Sequence, residues 1–468
     1  MSERWVEVRF ADARTARAAV TWAQRTMWVA HHRLAPHDCA LLNVAFTATS
    51  PGRSLDDVLA DLRRLVIRHD VLRTTFKVDE HGAVWQVAAA AGVLRVRVVE
   101  VAGRTPDDVA EQVRADLAGA PFDLVTALPV RVGLVVDGDA VSHVVLVGHH
   151  IALDGWSVVR LGHRLAEGAD DEPDDPDAAP VLQPADQAEA EAGPDGQRVL
   201  ADALDYWAAQ LRAMPPALFT GPPRPAETPR FKVARLESDA LAAVLPALCR
   251  RYRTTSSTVL LSGVLALLAV KTRHRRCGVQ VAAANRDTPD TFDAVGCLYQ
   301  EVMLSVDLAG ARSFSDVVRR TWAASQAAYA HSRYDPLALY ALVERVNAER
   351  GTVLDRTSVF NDERISPTSR RGAEPTAAPA PTSLDWLPEQ YRHRGGQFHL
   401  WIDSSPRDSV VVRLMGDTTV LSSGEIREFL LGLEAVLLRA ATEDVDLAAA
   451  ATLTAVAATA AVDPASVP

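Results

Sequence analysis

The chain has 468 residues and a formal net charge of −11, from 49 Lys+Arg against 60 Asp+Glu. Apolar residues make up 48% and charged residues 23%, which suits a globular chain of two or three domains and excludes wholesale disorder, collagen-like structure and a disulfide-stapled miniprotein. An acidic chain also argues against nonspecific nucleic-acid binding, because neutralising phosphates needs a basic surface.

In chain order, the spacing predicts a first helix over Thr15 to Val29. HHRLAPHDC (31–39) reads as loop. SLDDVLADLRRLVIRHDVLRTTF (54–76) carries Leu55, Val58, Leu59, Leu62, Leu65 and Val66 at helical spacing, with Ser54 as cap. TTFKVD (74–79) and VWQVAA (84–89) flank Glu-His-Gly and predict a hairpin. LRVRVVEVA (94–102) alternates like a strand, and TPDDVAEQVRADLAG (105–119) reads as a capped helix. Residues 128–150 predict two strands about a Gly-Asp turn, and 155–168 a helix. Residues 169–197 lack a core-forming period and read as a solvated loop, partly helical at the end. A helix resumes at LADALDYWAAQL (200–211), and the Pro-rich stretch 214–230 marks a lobe boundary.

The second half repeats the grammar. A buried helix is predicted near VLLSGVLALLAV (259–270), too short to span a bilayer. Strands are expected at 277–286 and 301–308, a capped helix at 313–331, strands at FHLWID and SVVVRLMG, and an amphipathic helix at 422–441. A second structureless stretch is expected over 361–383, and a frayed helix over 447–462. The expected segments are 1–178, a connecting region 179–230, and 231–468. The acidic excess is local: between Glu167 and Gln197 stand 11 Asp+Glu and no Lys or Arg, and the rest balances at 49 to 49.

Cys39, Cys249, Cys277 and Cys297 show no C-x-x-C spacing, so zinc and thioredoxin-like sites find no support and a reducing, cytoplasmic setting is expected. No metal ligands cluster, and the first residues show no secretory signal.

Chemistry concentrates in VLVGHHIALDGWSVVRL. A strand delivers His149 and His150 into a short loop, and a helix starts near Gly155, with Asp154 placed to cap it or to pair with an Arg. A neutral imidazole can take a proton at working pH. HHIALDG followed by Trp156-Ser157 resembles the H-H-x-x-x-D-G signature of nonribosomal peptide synthetase condensation domains, in the chloramphenicol acetyltransferase superfamily. RHDVLRTTF (68–76), TWAQRTMW (21–28), AANRDTPDTFDAVGCL (283–298), DYWAAQL (205–211) and HSRYDPLAL (331–339) are similar to further family segments in the same order. The resemblance covers about residues 18 to 440.

The resemblance implies an α+β fold of two chloramphenicol-acetyltransferase-like lobes in a V with a central tunnel. It implies His150 as the catalytic residue, with the Gly155 N–H facing the tetrahedral intermediate. His149 and Asp154 would be structural, and Asp154 would pair with Arg286. Trp156, Ser157, Arg68 and Arg73 are expected in support. For Arg68, Arg73 and His69, satisfying buried carbonyls and carboxylates outweighs substrate contact. Tyr299, Gln300 and Glu301 are tunnel candidates, and Trp156 and Tyr299 either line it or pack in the core. Gln300 and Glu301 stand where the family usually has Asn and Thr. KTRHRR (271–276) either meets a carrier protein or coenzyme phosphates, or complements a helix C-terminus.

The function so implied is a freestanding, cytoplasmic, monomeric condensation enzyme of natural-product biosynthesis. It would join an acyl group on a carrier-protein thioester to an amine or alcohol. The chain would bind no cofactor; the phosphopantetheine thioester would arrive on an acyl or peptidyl carrier protein in trans. Nucleic acid and membranes are not expected partners. The alternatives are an acyl-CoA-dependent acyltransferase of the same superfamily and a noncatalytic docking domain.

Overall fold

The computed structural model describes residues 2–168, 181–364, 380–388, 396–405, 409–450 and 452–453. Residues 169–180 of the expected loop 169–197, most of the stretch 361–383 and most of the tail 447–462 lie outside these residues. Contacts divide the chain into two compact units. The first gathers residues 1–201, 284–300 and 333–337; the second gathers 202–283, 301–332 and 338–468.

Up to Ala213 the elements are β1 (Glu3–Phe10), β2 (Ala16–Ala19), α1 (Trp22–Arg33), β3 (Asn43–Ser54), α2 (Leu55–Arg68), β4 (Thr74–Val78), β5 (Val84–Ala88), β6 (Gly92–Glu100), α3 (Pro106–Ala118), β7 (Val130–Asp137), β8 (Ala140–His149), α4 (Gly155–Glu167), α5 (Pro184–Ala192) and α6 (Pro194–Ala213). One sheet runs β1-β6-β7-β8-β3, and a small sheet runs β2-β5-β4. In the larger sheet β6 and β7 are parallel and the other pairs antiparallel. Its β7 and β8 strands are almost continuously apolar and buried. Helix α3 lies against β7 and β8, and α4 against β3 and β8. Gly162 lets α4 approach closely, since a Cβ there would sit 2.2 Å from the Phe46 ring.

Two expected helix limits are corrected. The segment from Thr15 starts as strand, because Ala16–Ala19 pair with β5, and the helix begins only at Trp22 behind a Thr21–Gln24 capping box. The helix after Ser54 stops at Arg68, not within 69–76. Arg73 there donates to the carbonyls of Val66 and Ile67, satisfying the last turn, and Thr74 enters β4. The hairpin of β4 and β5 forms in register from Thr74↔Ala88 to Val78↔Val84.

The acidic stretch before Gln197 is not wholly solvated. Asp186 pairs with Arg14, and Glu191 accepts the Trp22 N–H at 2.7 Å, filling an orphan donor at the start of α1. Regular structure also begins earlier than expected, at Pro184.

The remaining elements are β9 (Phe231–Ser238), α7 (Asp239–Tyr252), α8 (Ser256–Thr272), β10 (Arg276–Ala283), α9 (Pro289–Asp293), β11 (Gln300–Asp307), α10 (Phe314–Ala330), α11 (Pro336–Arg350), β12 (Ser358–Asp362), β13 (Ser383–Trp386), β14 (Phe398–Asp403), β15 (Val410–Asp417) and α12 (Ser423–Thr442). A mixed sheet runs β11-β10-β12-β14-β15-β9-β13. Residues 258–268 of α8 are all buried, so its apolar run is core, packed against α7, α10 and α12. Among the described residues no single helix is long and apolar enough to cross a membrane. The KTRHRR stretch is partly used inside its own unit: Arg273 caps α8 in a left-handed conformation, Lys271 pairs with Glu425 and Arg276 with Asp307.

Candidate active site

Strand β8 lies between β7 and β3, and its last residue, His149, pairs with Asn43. Gly148 precedes it because a Cβ there would fall 2.6 Å from Leu153 Cδ1. His149 is fully buried. Its carbonyl accepts the N–H groups of Ala152 and Leu153, at 2.9 and 3.1 Å, and its Nδ1 accepts the Ile151 N–H at 3.1 Å. One residue thus ties the whole turn after the strand.

These contacts settle the ring's protonation. An atom that accepts a backbone N–H carries a lone pair, so the His149 proton sits on Nε2. That Nε2–H donates to Nδ1 of His31, 3.1 Å away. Burial is the main force holding His149 neutral, with its pKa down at about 3; His31, His150 and Arg131 add repulsion. Burial also lowers the His31 pKa.

His31 is the main site residue that sequence reasoning missed. It lies on the last turn of α1, where a loop was expected. Gln24, Met27 and His31 fall at i, i+3 and i+7, so the helical pattern continued past Val29 and carried the missing signal. Arg33, in the same last turn, places a positive group at the negative end of the helix dipole.

His150 follows the strand, half-buried, its N–H bonded to the Leu42 carbonyl at 2.7 Å. Its Nδ1 lies 3.8 Å from Cys297 Sγ, and its ring centre 5.2 Å from that of Tyr299. Cys297 is buried, which pushes its thiol well above the usual range and keeps it uncharged.

Asp154 caps α4, accepting the Ser157 N–H at 2.9 Å. It also accepts from Arg286 Nη2 on both oxygens and from the Leu298 N–H at 3.1 Å. Arg286 further donates to Ser157 Oγ and to the carbonyls of Thr291 and Ala294. Ser157 Oγ donates to the Gly296 carbonyl and accepts its N–H. The structure therefore brings His149, His150, Asp154, Gly155, Ser157, Arg286 and Tyr299 into one cluster. Gly155 opens α4, where first-turn N–H groups have no partner within the helix. Trp156 meets Phe292 edge to face, with the Arg286 guanidinium 5.8 Å from its ring centre.

Other expected site residues have partners of their own. Arg73 is fully buried and serves Asp70 and the carbonyls of Arg14, Ala89, Val66 and Ile67, none of them in the His-Asp loop. The Arg68 carbonyl accepts from Gln183, and His69 is buried with its pKa down at about 3, mainly through burial. Gln300 is buried and exchanges two hydrogen bonds with the Tyr334 backbone. Glu301 follows it on β11 and so points to the other side of the strand.

Among the described residues no group of three or more His, Cys, Asp or Glu is placed to hold a metal. The second unit holds a cavity of about 230 Å³ lined by Ser257, Ala282, Tyr329, Phe360, Asp362 and Arg364.

Known proteins resemble this chain in sequence and in fold. Phosphinothricin tripeptide synthetase PhsB of Streptomyces viridochromogenes is 32% identical over 330 residues, 66% of this chain and 26% of that protein. Isonitrile lipopeptide synthase of Mycobacterium tuberculosis is 29% identical over 343 residues, 68% of this chain and 13% of that protein. The chain thus spans well under a third of these two relatives. The condensation domain of the Monacolin K polyketide synthase MokA superposes with a TM-score of 0.70 at 17% identity, over 92% of this chain and 99% of that one. The SgcC5 protein of Streptomyces globisporus gives 0.66 at 19%, over 91% and 99%. Both likenesses concern the fold: α+β, with two mixed-sheet lobes. A model of the condensation domain matches residues 15–443, and the chain belongs to the condensation domain family.

Proposed function

We propose that this chain transfers an acyl group from a carrier-protein thioester to an amine or alcohol, forming an amide or an ester. The observation that carries the reading is the half-buried His150, presented at a strand end by a turn that buried His149 ties and that Asp154 and Arg286 hold against residues 296–298. In the reaction the acceptor nitrogen or oxygen attacks the thioester carbonyl carbon. The C–S bond then breaks, and the acceptor's proton leaves with the phosphopantetheine thiol.

His150 takes up or orients that proton, and an alcohol needs this help more than an amine that is already neutral. The Gly155 N–H, at the positive end of α4, donates to the developing oxyanion. Asp154, Arg286, Ser157 and His149 hold the frame. Tyr299, beside His150, contacts the substrate, while Trp156 packs on Phe292. Relatives named as nonribosomal peptide synthetases support a carrier-borne donor and natural-product biosynthesis.

The test is mass spectrometry of separately added carrier proteins, loaded with a panel of acyl and aminoacyl groups and mixed with amines and alcohols. Transfer from the carrier, lost in His150→Ala, is expected. Equal use of free acyl-CoA would overturn carrier dependence, and an unchanged yield from His150→Ala would favour a docking role.

A further inference from the structure

The first unit contains a histidine that the reaction above does not use. His31 comes from the last turn of α1, 118 residues before its partner His149. Its ring meets His149 edge to face, with centres 5.1 Å apart, and its Nδ1 is the acceptor for the His149 Nε2–H. Phe122 closes another side of the His149 ring, at 6.1 Å, and Arg131 stacks over Phe122 at 3.7 Å. These surroundings offer His149 an apolar wall and a nearby cation, so its neutral form is the one that fits.

We propose that His31 is a positioning residue: by accepting the Nε2 proton of His149 it fixes that ring's tautomer, and so fixes the turn that presents His150. The inference rests on the acyl-transfer role given to His150. The physical chain is short. His149 Nδ1 must stay unprotonated to accept the Ile151 N–H. A neutral imidazole has one proton, so Nε2 must carry it and needs an acceptor in a buried place. If His31 offers none, the proton is left unpaired on Nε2 or moves to Nδ1. In the second case two donors face each other across 3.1 Å, and the turn must open. His150 is the next residue, so any opening moves its ring from the reacting position.

The side chain that can replace His31 is therefore specific. Asn places an amide oxygen where Nδ1 stands, and can accept the same proton. Leu keeps apolar bulk and accepts nothing. The experiment compares the parent with His31→Asn and His31→Leu, using the donor and acceptor that turn over fastest in the carrier-protein panel. His31→Leu is expected to lower kcat by about tenfold or more with KM little changed, and His31→Asn to stay within about threefold of the parent. Spectra of ¹⁵N-imidazole-labelled protein supply a readout without substrate: the parent and His31→Asn should show His149 protonated on Nε2 only, and His31→Leu should either move that proton to Nδ1 or shift the Nε2 resonance as its acceptor is lost.

A parent spectrum with the proton on His149 Nδ1 would overturn the proposal. So would His31→Leu with parental kcat, or His31→Asn as impaired as His31→Leu. If no donor turns over in the parent, the acyl-transfer reading fails, while the spectra still decide the relay between the two histidines.

Discussion

Arg286 Nη2 lies 2.9 and 2.8 Å from the two carboxylate oxygens of Asp154, a residue 132 positions earlier in the chain. Both side chains are almost fully buried, at 2% and 4% exposure. The pair ties residues 284–298 to the cap of α4 and so to the turn that carries His150. Its energy is best tested by breaking it from one side. Arg286→Ala or Asp154→Ala leaves one buried charge unpaired and should cost about 3–5 kcal/mol. Removing both should cost clearly less than the sum. Urea unfolding of the two single variants and the double variant measures this; single losses below about 1 kcal/mol would contradict the assigned role.

The two adjacent histidines should separate by phenotype. His150 is half-buried, and His150→Ala should lower turnover by about 10²–10⁴-fold with little change in unfolding midpoint. His149 is fully buried and bonded at both ring nitrogens, so His149→Ala should destabilise the chain by several kcal/mol as well as slow it. Paired kinetic and denaturation measurements decide it. Equal stability losses in both variants would refute the division.

Gly148 offers a geometric test of the turn. An added Cβ would stand 2.6, 3.0 and 3.2 Å from Cδ1, Cγ and Cβ of Leu153. Leu153 must then shift, and with it the segment from Ile151 to Asp154. Gly148→Ala should cost about 1–3 kcal/mol through overpacking and reduce kcat more than KM changes. The compensating pair Gly148→Ala with Leu153→Ala should recover part of the stability if the contact is the cause.

Stability should fall on mild acidification. His149 and His69 are held at about 3, against 6.5 for an ordinary histidine, chiefly by burial. Below pH 6.5 the unfolded chain therefore takes up protons that the folded chain refuses. Each histidine's contribution is fully present above that pH and is lost toward pH 3, by up to about 1.4 kcal/mol per pH unit. His31, also lowered by burial, acts in the same direction. Glu191 opposes them: burial raises its carboxyl to about 7 from 4.5, so its contribution is present below 4.5 and lost as pH rises through 7. The net expectation is a loss worth about one histidine between roughly pH 6.5 and 4.5. Urea melts across this range should show a flatter curve for His69→Phe and a steeper one for Glu191→Gln. An unchanged slope in His69→Phe would contradict the buried neutral state.

Much of the local architecture was legible because it depends on short-range patterns. Ser54 before an apolar helical stripe, Thr105 before Pro-Asp-Asp and the Gly-Asp turn after β7 each act within a few residues. The H-H-x-x-x-D-G spacing was legible for the same reason: a strand end, a five-residue turn and a helix cap are local. The Ala16–Ala19 strand was not, because alanines favour a helix and only pairing with β5, some seventy residues on, overrides that preference.

The sequence by itself determined the family, the α+β class and the loop that holds the H-H-x-x-x-D-G segment, since these follow from residue type and spacing. Only the tertiary structure decided which distant residues complete that loop. His31 reaches it from α1 and Leu298 from beyond α9, and Glu191 turns inward to cap α1 although it belongs to an acidic run. The reason is physical. Burying a polar group is tolerable only with a partner, and the partner's identity depends on what the folded chain places within about 3 Å, not on what lies nearby along it.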